Sequence, residues 1–100
     1  MKPVVIHRLA RAELDEAMAF YERQQRGLGL DLQTEIQQAI THIQANPGLG
    51  SPYKATDFRY WVLRRFPYVL YYADLEDALW VVAIAHGSRR PDYWKRRRLE

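Results

Sequence analysis

Cysteine is absent from the 100-residue chain, so no disulfide framework or thiolate metal site can form, and the composition fits a reducing cytoplasm. Long apolar runs are missing too. The longest, Ala78 to Ala85, is far too short to span a bilayer, and "MKPVVIHRLARAEL" returns to charge after three apolar residues, unlike a signal peptide. The only histidines are His7, His42 and His86, and none pair at ligand spacing, so no metal is expected. No glycine-rich phosphate loop, nucleophile elbow or Ser/His/Asp pattern occurs. No cofactor is expected either, and no membrane segment.

What the chain has is ordinary core-forming composition and an uneven charge. Its residues are 48% hydrophobic, enough for one domain with one modest core. That domain is expected to span residues 1–98, with Leu99-Glu100 read as a vector-derived scar. The net charge is +3. Residues 1 to 57 hold six Lys and Arg against seven Asp and Glu, whereas residues 58 to 98 hold nine against four. The basicity therefore belongs to the C-terminal part, above all to "AIAHGSRRPDYWKRRR", residues 83 to 98.

Val4 to Ile6 reads as a short strand. From about Arg8 to Gln25, Ala10, Leu14, Ala17 and Tyr21 line one helical face, with Glu22 and Arg26 spaced for an i,i+4 ion pair. Gly27 and Gly29 punctuate. A second helix follows, with Leu32, Ile36, Ala39 or Ile40, and Ile43 on one face, and Asn46-Pro47-Gly48 ends it. Residues 48 to 57 read as a loop. The period then becomes two, predicting strands over Arg59 to Arg65, Tyr68 to Ala73 and Leu79 to His86, the last apolar enough to be central. Short links favour an antiparallel meander, with the helical hairpin packed on one face. The expected fold class is α+β, an antiparallel β-sheet against an N-terminal helical hairpin, in the order β-α-α-β-β-β with a short C-terminal helix or tail.

Candidate functional residues come from the basic part. Alternation puts Arg59, Trp61, Leu63 and Arg65 on one side of their strand and Phe58, Tyr60, Val62 and Arg64 on the other, so one of Arg64 and Arg65 is expected on the open face. With His86, Arg89, Arg90 and Tyr93 alongside, a concave basic surface would form. Arginine suits phosphate through its planar fork, and Tyr93 and Trp94 could stack on bases. The opposing reading is a solvated tail whose Arg stems cover aromatic surface. The carboxylates Glu13, Asp15, Glu16 and Glu22 read as the solvated side of the first helix, His42 as solvated, and His7 as the passage from strand to helix.

The order and spacing of "ARAELDEAMAFYE", "LGLDLQTEIQQAITHIQANP", "LRRFPYVLYY" and "VVAIAHGSRRPDYW" resemble the RelE/ParE superfamily of type II toxin–antitoxin toxins. The resemblance implies a growth-inhibiting toxin, neutralised by a cognate antitoxin expected to be acidic and partly disordered. Operator DNA would be bound only through that antitoxin. It also implies one of two mechanisms. RelE-like members cut mRNA on the ribosome, and on that branch Arg64 or Arg65 from the strand and Arg89 or Arg90 from the loop would stabilise phosphate, with Tyr93 in proton transfer or stacking and His86 a further acid/base candidate. Lys54 stands alone where RelE-like members carry several lysines. ParE-like members bind DNA gyrase without catalysis, and "AHGSRR" resembles that branch more closely. There Lys54, Arg59, Trp94, Lys95, Arg96 and Arg97 would be contact surface for partner or nucleic acid.

Overall fold

The computed structural model describes residues 1–100 as a helical hairpin laid across one five-stranded sheet. The elements are β1 (Val4–Ile6), α1 (Arg8–Gln24), α2 (Leu28–Ala45), β2 (Ser51–Pro52), β3 (Phe58–Val62), β4 (Tyr68–Asp74) and β5 (Leu79–His86). Their order across the sheet is β1-β5-β4-β3-β2. No helix is long and apolar enough to cross a membrane.

α1 starts where His7 turns its ring back and accepts the Leu9 amide on Nδ1 at 3.1 Å, satisfying a donor that the first helical turn leaves free. Ala10, Leu14 and Ala17 are buried on its inner face. The reversal into α2 uses Gly27 at φ 88°, the left-handed conformation glycine adopts without strain. Gly29 allows close packing of the helices, since a Cβ there would sit 2.6 Å from the Met18 carbonyl. Glu22 does not pair with Arg26 as its spacing suggests. Its carboxylate accepts the Gly27 and Gly29 amides at 2.9 and 3.0 Å and so caps the start of α2.

Two features of the sheet depart from the meander. β1 pairs with β5 in parallel, Val4 opposite Leu79, which makes the sheet mixed. This follows because α1 and α2 carry the chain away before it returns through three antiparallel strands, leaving β5's outer edge for β1. The second departure is β2, Ser51–Pro52, which pairs with Tyr60 and Arg59 inside the stretch read as loop. β4 and β5 run as expected, and β5 is an interior strand, paired on both edges and mostly buried, though β4 rather than β5 holds the middle of the sheet. β3 ends at Val62, short of Arg64 and Arg65, which lie in the bend before Pro67.

A β-bulge at Val82 decides what each sheet face carries. Tyr71 pairs with Ala83 and Tyr72 with Val81, so Val82 is the extra residue. The shift turns Val81 and Ile84 toward the helices, where they join Leu14, Leu32, Ile36, Ile43 and Leu70 in the main core. Val82 and Ala83 join Trp94 in a second cluster.

Candidate functional site

The segment after β5 folds back as successive turns over the sheet face opposite the helices. Trp94 anchors it. Only 1% of this residue is exposed, and its ring packs on Tyr71 at 4.3 Å, Phe58 at 5.0 Å and Tyr53 at 5.2 Å between centroids. The expectation that Trp94 offers a surface for stacking on bases is therefore corrected. An indole beside a sheet face with no helix cover is worth more as core than as an exposed platform.

Beside this anchor is a polar lock. Arg97 grips Glu13 of α1 with both terminal nitrogens, Nη1 to Oε1 at 3.0 Å and Nη2 to Oε2 at 2.8 Å, and Nη1 also donates to the Val82 carbonyl at 3.0 Å. The Tyr93 hydroxyl donates to Glu13 Oε2 at 2.5 Å, and the Ile84 amide to Oε1 at 3.0 Å. Both side chains of the ion pair are nearly buried, 11% and 13% exposed. The reason for the lock lies in the sheet. β1 stops supplying partners once the His7 amide meets the Val81 carbonyl at 2.9 Å, and the next groups on that edge of β5 are the Val82 carbonyl and Ile84 amide. Glu13 and Arg97 stand in for the missing strand.

Burial opposes the Glu13 charge, but hydrogen bonds from Arg97, Tyr93 and the Ile84 amide outweigh it and hold the carboxyl below its ordinary value. Burial first, then the Glu13 carboxylate, pushes the Tyr93 phenol well up, so it keeps its proton. The Arg89 and Arg97 guanidinium groups both lie over the Tyr93 ring, 4.0 and 5.2 Å from its centroid. Arg97 is thus not the free cation expected of it, and Glu13 is not a solvated acid.

A second pin lies at the other end of the segment. Asp92, at φ 66°, accepts from the Tyr53 hydroxyl and from Lys54 Nζ at 3.1 Å, and Lys54 itself sits at φ 50°. Hydrogen bonds from Tyr53, then Lys54, lower the Asp92 carboxyl. His86 ends β5 with its ring edge-on to Tyr68, and its Nδ1 accepts the Ser88 amide at 3.0 Å with Ser88 Oγ at 2.8 Å. An Nδ1 acceptor puts the ring proton on Nε2 in the neutral tautomer.

His86, Arg89, Arg90, Tyr93 and Lys54 do line one hollow of about 360 Å³. Arg64 and Arg65 do not. Their amides donate to Glu35 of α2 at 2.5 and 3.3 Å, Arg65 reaches Asp31 at 3.4 Å, and both line a separate hollow with α2. The strand ends too early to carry them onto the open face. Arg59 is also engaged, donating to the Gly50 carbonyl at 2.7 Å. Lys95 and Arg96 remain exposed, as expected.

Glu13, Asp92 and Tyr53 hold the segment in place, although nothing in the basic run itself points to them. A signal existed for Glu13, which falls three residues after Ala10 and four before Ala17, on the edge of the apolar stripe rather than opposite it.

Residues 4–91 match the model of the family described as "ParE toxin of type II toxin-antitoxin system, parDE". The chain belongs to the ParE toxin family. Among solved structures, the "Chromosomal ParDE TA system from P. aeruginosa" is similar with a TM-score of 0.76 and 22% identity, over 86% of this chain and 96% of that one. That likeness shows a shared fold. No curated protein matches. The ParE match ends at Pro91, so Tyr93, Trp94 and Arg97 lie beyond the matched residues.

Proposed function

We propose that this ParE-family chain is a growth-inhibiting toxin that acts by binding DNA gyrase, in the cytoplasm, and is held inactive by a cognate antitoxin. The Glu13 carboxylate carries the choice of a binding mode over RNA cleavage. It takes the Tyr93 proton donor and the Arg97 cation into a nearly buried cluster. Cleavage at a 2′-OH needs a base, a free cation at the phosphorane and an acid in reach of one another. Here Tyr93 is committed to Glu13, and Arg64 and Arg65 line a hollow with α2, which leaves His86, Arg89 and Arg90 in their own hollow without those partners. What the segment leaves outward is a rigidly pinned basic surface, suited to gripping a partner. An acidic, partly disordered antitoxin segment complements it, and operator recognition is left to that antitoxin.

The test places purified protein with gyrase and relaxed plasmid, and separately with programmed ribosomes. Loss of supercoiling or trapped cleaved plasmid supports the proposal. Cut mRNA with gyrase unaffected overturns it in favour of the RelE-like mechanism. Pulse labelling after induction gives the cellular counterpart, with DNA synthesis expected to fall before protein synthesis.

A further inference from the structure

Between Arg89 and Arg98 the chain has six basic residues and one acid, and the internal pairs remove few of the cations. Arg97 is spent on Glu13, and Asp92 is spent on Lys54 and Tyr53. Arg90, Lys95, Arg96 and Arg98 stay exposed, Arg98 only loosely joined to Glu100 at 3.7 Å. Arg8, exposed at the start of α1, joins them, since Arg8, Arg96 and Arg98 line one hollow of about 670 Å³. Tyr93 borders both this hollow and the one lined by Lys54, Arg89 and Arg90, so the cations form a continuous ridge. The two pins hold it in place before any ligand arrives, which lowers the ordering cost of binding.

We propose that this ridge binds the phosphate backbone of duplex DNA. Arginine predominates, and its fork matches phosphate oxygens. The two aromatic groups of the segment itself are engaged, Trp94 in the core and Tyr93 against two guanidinium groups, while Trp80, Tyr53 and Tyr71 in the walls of the hollows are half-buried. Exposed cations over aromatics that are at most half-exposed suit a duplex, whose bases are already stacked and whose outer surface is phosphate. Such contacts carry no sequence information, so they add to operator reading by an antitoxin without replacing it. The choice of DNA over RNA rests on the gyrase reading, because gyrase works on duplex DNA; the ridge itself does not depend on it.

The experiment measures fluorescence anisotropy of a mixed-sequence DNA duplex with the full chain across a salt series, without gyrase. A duplex RNA of the same sequence and an oligoglutamate peptide serve as the other probes. The expected result is DNA binding whose affinity falls steeply with salt, at about 0.9 in the log–log slope for each phosphate neutralised. The R96A/R98A variant should lose at least about tenfold and flatten the slope by about two, while R23A/R26A, in the last turn of α1 and the turn after it, leaves both unchanged. Circular dichroism checks that each variant is folded. No binding to either duplex at low salt overturns the ridge and leaves the gyrase reading standing. Equal losses in both variants overturn it as mere net charge. Tighter binding of oligoglutamate than of DNA overturns it in favour of an acidic protein segment. Binding of RNA alone overturns the choice of DNA and counts against gyrase as well.

Discussion

The two faces of the sheet are covered by different means. On one, α1 and α2 bring Leu14, Leu32, Ile36 and Ile43 onto Leu70, Val81 and Ile84, a mainly aliphatic contact with Phe66 and Tyr72 at its margins. On the other, a segment without helix or strand covers Val82 and Ala83 with one tryptophan among Tyr53, Phe58 and Tyr71. A helix satisfies its own backbone and needs only an apolar stripe to dock. An irregular segment has no such ladder, so its position depends on side-chain bonds, here the Glu13–Arg97–Tyr93 lock and the Asp92 pin. The first face is held by many interchangeable contacts, the second by a few that are not.

That contrast can be broken from the second face. Trp94→Ala should give the largest effect, a loss of about 3–5 kcal/mol by chemical denaturation, and should open the tail to trypsin between Arg89 and Arg98. Leu32→Ala, on the helix face, should cost about 2–5 kcal/mol yet leave the tail no more sensitive to trypsin than the wild type under native conditions. Equal tail cleavage in the two variants would mean that the faces do not differ in this way.

Glu13→Gln comes next. Leaving Arg97 nearly buried without its counter-charge should cost about 3 kcal/mol, with the tail again exposed to protease. It should also remove an acid-range dependence. A carboxyl held below its ordinary 4.5 contributes stability above that value and loses it as pH falls through the lowered one. Wild type should therefore destabilise below about pH 4.5 more steeply than the variant.

A smaller effect belongs to the start of α1. Burial, then Arg97 and Arg8, lower the His7 imidazole from its ordinary 6.5. A protonated ring also loses the Nδ1 acceptor that caps Leu9. Its contribution is complete above pH 6.5 and declines below it, so melting temperature should drop as pH falls from 7 to 5.5. His7→Asn, which keeps a capping oxygen, should flatten that drop without altering the Glu13 step. Arg96→Ala should do least to stability, within about 0.5 kcal/mol, because it is exposed and bonds to nothing in the fold. It separates surface from structure, since neighbouring Arg97→Ala should destabilise strongly.

Much of this was legible in the chain. The stripes Ala10-Leu14-Ala17 and Leu32-Ile36-Ile43 are periodic over several turns, and local periodicity is enough to define a helix and its buried side. The apolar run of β5 likewise marked a buried interior strand. Which basic residues are surface was not legible, because Arg96 and Arg97 are identical neighbours in a basic run. Only the position of Glu13, 84 residues away, turns one inward. Nor could alternation foresee the bulge at Val82 or the early end of β3, since both depend on how strands pair. By itself the sequence determined the helices, the buried interior strand β5 and the basic C-terminal charge, all of which are local or compositional. The tertiary structure alone decided the parallel seat of β1, the burial of Trp94 and the split between structural and free arginines. Each of those depends on contacts between groups distant in the chain, whose energies no short window contains.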